Sequence, residues 1–141
     1  MKKIFFRYAD KKVLLNDKLH IREFVETLFE QENMKLTIIN YIFCSDDYLL
    51  QINKSFLQHD FYTDIITFNL SENKNSIIGE IYISVDRVKE NALEQKTAFQ
   101  NEMLRVIFHG ALHLCGYKDK SPAEKKKMTL AEDKYLKLYL G

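Results

Sequence analysis

Cysteine is scarce in this chain: Cys44 and Cys115 are the two among 141 residues. Two thiols make no disulfide framework, which points to a reducing compartment. An excess of one charge is absent as well, since 21 basic and 20 acidic side chains leave a net charge of +1. That excludes a broad electrostatic footprint on nucleic acid and leaves room only for a local basic patch. Long apolar runs are missing too. No stretch approaches the ~20 residues that span a bilayer. The opening Met1-Lys2-Lys3-Ile4-Phe5-Phe6-Arg7 has three apolar residues before its arginine, far short of a signal-peptide core. Repeats, linkers and low-complexity segments are also lacking. A cytoplasmic location is expected by elimination.

What is there is an ordinary globular composition, 46% hydrophobic and 29% charged, of a length that suits one domain over 1–141. Lys3 to Tyr8 reads as a strand. Asn16 or Asp17 can cap a helix over Lys18 to Gln31, with Asn33 at its end. Lys35 to Cys44 is dense in β-branched and aromatic residues and reads as the clearest strand. Ser45-Asp46-Asp47 can cap a helix to about Phe56. Thr63 to Leu70 and Ile77 to Ser84 read as a strand pair across the polar loop 71–76. Asp86 to Lys96 and Thr97 to Cys115 read as helices with a bend between them. Ser121-Pro122, an N-cap with proline at the first helical position, opens a last helix to about Leu138. The expected class is α/β (α+β): one two-layer domain, a small mixed sheet of about four strands covered by about five helices.

The most informative segment is His109-Gly110-Ala111-Leu112-His113-Leu114-Cys115-Gly116-Tyr117-Lys118-Asp119. Its spacing is H-x3-H-x2-G-x2-D. Residues four apart share a helix face, so both imidazoles can address one ion. Gly116 suits the left-handed turn that ends a helix, which would carry Asp119 back toward the histidines. Two nitrogens and one oxygen suit zinc, and three protein ligands leave the open position of a catalytic site. Water bound there would titrate near pH ~7. Manganese, cobalt and nickel accept the same donors. Metalloproteases with this histidine spacing carry a glutamate base directly after the first histidine. Here that residue is Gly110, which argues against peptidase chemistry. Cys115 is a rival ligand, but two residues past His113 it points off the histidine face and is expected to be buried and inert.

Other polar residues have plainer readings beside the functional ones. Asp64, after Thr63, can orient a ligand histidine, sit in a cleft, or cap the turn into its strand. Glu80 can be explained by alternation on a solvent face. His59 is a lone loop histidine. Lys118 and Lys120 flank Asp119 and are candidate phosphate contacts. Lys125, Lys126 and Lys127 suit a solvated helix face. One of the 18 phenylalanines and tyrosines could stack on a base, but the sequence does not single it out.

Three separated stretches resemble the YbeY family of bacterial metal-dependent endoribonucleases. His109-Gly110-x-Leu112-His113-Leu114-x-Gly116-Tyr117 is similar to its H-G-x-L-H-L-x-G-Y-D-H. The stretch from Ile52-Asn53 through Thr63-Asp64-Ile65-Ile66-Thr67-Phe68 is similar to L-N-x-x-Y-R-x-x-D-x-P-T-D-V-L-S-F. Gly79-Glu80-Ile81-Tyr82-Ile83-Ser84 is similar to G-D-I-x-I-S. The resemblance implies a zinc-dependent, single-strand-specific endoribonuclease. It would act in 16S rRNA 3′-end maturation and ribosome quality control, with rRNA and the ribosome or its proteins as partners. Neither a membrane nor DNA is expected.

Two positions depart from the family pattern. Its third histidine is Asp119 here, an acceptable zinc ligand that adds a negative charge. Its arginine falls at Leu57, which cannot contact phosphate, so Arg87, Arg105 and Lys54 become candidate replacements. No side chain stands out as a general base, and metal-bound water is the default. The alternative is a non-catalytic ribosome assembly factor with a structural zinc, which Leu57 keeps open.

Overall fold

Strands and helices interleave along the chain and close with three helices, in the order β1 (Ile4–Tyr8), α1 (Lys18–Gln31), β2 (Leu36–Cys44), α2 (Asp46–Leu57), β3 (Ile65–Asn69), β4 (Ile77–Ser84), α3 (Val85–Gln95), α4 (Phe99–Leu114) and α5 (Pro122–Leu140). These elements come from a computed structural model that describes residues 2–141; Met1 of the expected 1–141 domain lies outside it. The helix ends follow from local hydrogen-bonding chemistry. Asp17, Ser45, Ser84 and Ser121 each accept a hydrogen bond from an otherwise orphaned amide of the first turn. Ser121 and Glu124 complete a reciprocal capping box around Pro122. Asn33 takes a left-handed conformation just past α1, at φ 58°. The bend expected near Lys96 is a true break: Lys96 is left-handed at φ 57°, and α4 restarts at Phe99 behind an Ala98 that lends no side-chain cap.

The sheet is mixed, in the order β1-β2-β4-β3. β1 and β4 both run parallel to β2, whereas β3 is the antiparallel hairpin partner of β4. Strand pairing thus joins Tyr41 to Ile81 and Ile81 to Thr67, so residues far apart in sequence share one face. On that face Ile39, Tyr41, Phe43, Ile81 and Ile83 are fully buried. They join Val25 and Leu28 of α1, Met103, Ile107 and Phe108 of α4, and Met128 and Tyr135 of α5 in one core. Each such side chain contributes roughly 1.5–3 kcal/mol by leaving water. A second, smaller cluster of Cys44, Leu49 and Ile66 lies on the opposite face, where α2 covers the β3–β4 side. The four strands and five helices of an α+β domain are those expected from the sequence. No helix among the described residues is long and apolar enough to cross a membrane.

The placement of α4 decides the site. Its Gly110 lies so close to the sheet that a Cβ there would stand 2.9 Å from Ile81 and 3.0 Å from Ile65. Gly79 of β4 admits Leu114 of α4 in the same way, with a hypothetical Cβ only 2.5 Å from that side chain. The buried Tyr41 hydroxyl donates to the Ile107 carbonyl at 2.9 Å, pinning the helix to β2. With positions 107, 110, 111 and 114 facing the sheet or core, His109 and His113 face outward and away from it.

Candidate metal centre

His109 and His113 lie one turn apart on α4, their ring centroids separated by 4.8 Å. Past Leu114, Cys115 ends the helix and Gly116 turns the chain at φ 102°, a conformation that L side chains rarely adopt. Tyr117 locks this turn. Its hydroxyl donates to Glu32 Oε1 at 3.0 Å, and Tyr135 of α5 donates to the other oxygen of the same carboxylate at 2.5 Å. Asp119 is thereby delivered to the histidines, its Oδ2 lying 3.3 Å from His109 Nε2 and 3.4 Å from His113 Nε2.

Those separations fit a metal. Donor atoms bound at about 2.0–2.2 Å to one tetrahedral ion lie roughly 3.3–3.6 Å from one another. Among the described residues, His109, His113 and Asp119 form the one group of three or more such donors close enough to hold an ion together. Cys115 is not part of it. Its buried thiol is pushed up to about 12, by burial first and by the Glu32 charge second, and stays protonated at neutral pH.

Sequence reasoning overlooked Glu132, whose role emerges here. Its Oε2 lies 2.5 Å from His109 Nδ1, and its Oε1 accepts from Arg105 at 2.8 Å. Arg105 in turn donates to Asp133 at 2.7 Å. An ionised carboxylate can only accept, so Nδ1 carries the proton and Nε2 keeps its lone pair for the ion. Burial alone would pull the His109 imidazole down. The Glu132 hydrogen bond and charge, with Asp119 and Asp64 behind them, outweigh burial and hold it above its ordinary value. The available signal was a charged residue set among Met128, Ala131 and Tyr135 on the apolar face of α5.

The centre opens into a cleft of about 670 Å³. Thr63 and Asp64 line it, as do Leu57, His59, Arg105 and Lys120. Asp64 sits in the cleft without taking His109 Nδ1, and its carbonyl accepts from Ser84 at 2.9 Å. Burial raises its carboxyl, against the lowering influence of His109. Glu102, buried in the same cleft, is likewise raised by burial and then by Asp64 and Glu132, with Arg105 opposing. Lys118 is exposed and outside the cleft lining. Every candidate replacement for the family arginine is engaged elsewhere: Arg87 by Asp46 at 2.7 Å, Lys54 by Asp60 at 3.5 Å, and Arg105 by Glu132 and Asp133.

Two imidazoles and a carboxylate that could hold one ion, with a second carboxylate bracing His109 beside an open cleft, are consistent with a metal-dependent hydrolase. The profile of the Endoribonuclease YbeY family matches residues 6–140. The chain belongs to that family. It is 50% identical over 135 residues to the endoribonuclease YbeY of Cytophaga hutchinsonii, covering 96% of this chain and 94% of that one. It is also 50% identical over 115 residues to its counterpart in Flavobacterium psychrophilum, covering 82% and 81% of the two chains. A Thermotoga maritima protein solved in solution superposes with a TM-score of 0.65 at 29% identity, covering 96% of this chain and 88% of that one.

Proposed function

We propose that this protein is a zinc-dependent endoribonuclease that cuts single-stranded RNA, acting on the 3′ end of 16S rRNA and in ribosome quality control. The observation that carries the reading is the gathering of donor atoms of His109, His113 and Asp119 within 4.8 Å of one another, in a chain of the endoribonuclease YbeY family. His109 and His113 would present Nε2 and Asp119 would present Oδ2. When bound, the ion supplies positive charge for a phosphodiester oxygen and makes water more acidic.

The chain's own residues do the rest. Glu132 fixes the His109 tautomer and ring plane, and Arg105 fixes Glu132. The Glu32–Tyr117 hydrogen bond holds the turn that carries Asp119. Lys120 stands at the cleft as a phosphate contact, while Lys118 offers only an outer, long-range charge. Asp64 and Glu102, whose carboxyls burial raises, are the cleft groups best suited to exchange a proton with a bound strand. Two buried free thiols agree with a cytoplasmic site of action beside the ribosome.

Cleavage of a labelled single-stranded RNA by purified protein, with chelator and after re-addition of zinc or manganese, tests this. Loss and recovery of cleavage support it, and equal cleavage by His113→Ala contradicts it. The non-catalytic assembly factor remains the second reading because Leu57 replaces the family arginine and each nearby arginine is already paired. Under that reading chelation lowers the melting temperature, RNA binding persists, and no cut appears. Gly110 removes the peptidase, since its Cα faces Ile81 and Ile65 and leaves no room for a glutamate base.

A further inference from the structure

The cleft lining includes His109, His113 and Asp119 with the carboxylates Asp64, Glu102 and Glu132, and it also includes Leu57, His59 and Phe61. The His59 and Phe61 rings stack on each other at 5.1 Å between centroids and 21° between planes. Phe61 keeps 56% of its surface in solvent, so its ring stays accessible to a ligand in the cleft.

These rings do not hang on a loose loop. Asn53, a buried residue of α2, donates from Nδ2 to the Phe61 carbonyl at 2.9 Å. The Asn53 carbonyl accepts from the His59 amide at 3.1 Å. One buried asparagine therefore fixes the backbone of both aromatic residues. Gln58 ends α2 in a left-handed conformation at φ 56° and swings the loop over the cleft.

The charges in the cleft make a non-electrostatic contribution necessary. Asp64, Glu102, Asp119 and Glu132 stand against Arg105 and Lys120, and Arg105 is already paired with Glu132. A divalent ion does no more than balance that deficit. Phosphate attraction, usually the dominant part of nucleic-acid affinity, is thus weak here. Stacking supplies roughly 1–3 kcal/mol per base without needing charge.

We propose that the His59–Phe61 pair is a stacking platform for one unpaired nucleobase of an RNA strand whose phosphate reaches the His109, His113 and Asp119 centre. The proposal rests on the nuclease reading above and deepens it. A base in a duplex has both faces covered, so the platform accepts only an unpaired one. Leu57 fits the same reading: at the position of the family arginine, this chain adds an apolar side chain to the cleft that His59 and Phe61 line.

The test is binding of a short fluorescent single-stranded 2′-O-methyl oligoribonucleotide to metal-loaded protein, with the strand checked on a gel to stay intact. An identical strand with abasic positions is measured beside it. Phe61→Leu, which keeps the bulk and loses the aromatic face, should weaken binding by about 5- to 150-fold. Phe61→Trp should preserve it. The abasic strand should bind wild type as poorly as the intact strand binds Phe61→Leu. A melting curve on each variant confirms folding, which an exposed side chain should not disturb. Equal binding by wild type and Phe61→Leu, in a wild type that cleaves RNA, overturns the platform alone. A wild type that neither binds nor cleaves RNA overturns the nuclease reading itself.

Discussion

Glu132 and His109 sit on different helices, 23 residues apart in sequence, and their side chains meet at 2.5 Å. Glu132 is almost fully buried there, between α4 and α5, with Arg105 on its other oxygen. The pair fixes the orientation of an imidazole that could serve as a metal ligand. Partners that fix metal-binding histidines in this way are typically worth about 10- to 100-fold in metal affinity.

That value sets the first expectation. Glu132→Gln should weaken zinc binding by about 10- to 100-fold, read by competition with a calibrated chelator. It should also destabilise the metal-free protein by roughly 1–3 kcal/mol, because Arg105 loses its buried partner. Unchanged metal affinity in a folded Glu132→Gln protein would show that His109 needs no brace.

Gly110 tests the packing that aims the histidines. A side chain there begins within 3.0 Å of Ile81 and Ile65. Gly110→Ala should cost about 1–3 kcal/mol by overpacking, measured by denaturant titration. Gly110→Glu should fare worse, since it also forces a charge toward the sheet, and should confer no peptidase activity. A Gly110→Ala protein as stable as wild type would mean that α4 does not press on the sheet as described.

Gly116 tests the turn. Its φ of 102° is strained for any L side chain, so Gly116→Ala should cost about 1–3 kcal/mol. Open space surrounds the position, so the loss would report backbone strain and no clash. Because the turn carries Asp119, metal affinity should fall with stability.

Glu102 gives a pH dependence of definite sign. Burial raises its carboxyl above the ordinary 4.5. A raised folded-state value means that the group contributes stability in full below about pH 4.5 and loses it as pH rises through the folded value. Glu102→Gln, uncharged throughout, should therefore gain on wild type as pH climbs from about 4.5 and then level off. Stability curves of both proteins at a series of pH values check this, and a constant difference across the series contradicts it.

The grouping of His109, His113 and Asp119 was legible in the sequence because it is local: helical spacing and one glycine turn bring the three together within eleven residues. Strand and helix limits were legible for the same reason, through caps such as Ser45 and Ser121. What escaped depends on tertiary contact. Glu132 stood out only once α5 packed on α4 and brought it to His109. Arg87 and Arg105 looked like free cations until Asp46, Glu132 and Asp133 engaged them. The stacked His59 and Phe61 became notable only when Asn53 held them in the lining of the same cleft as His109, His113 and Asp119. α2 shows the same limit, because periodicity predicts a helix without saying which face of the sheet it covers.

The most direct measurement is cleavage of one single-stranded RNA by metal-loaded wild type beside Asp119→Ala, with zinc content determined on both. Wild type should hold about one zinc and cut the strand. Asp119→Ala should lose most of the metal and the activity together. A variant that cuts as well as wild type after losing its zinc would contradict the metal-dependent nuclease at its centre.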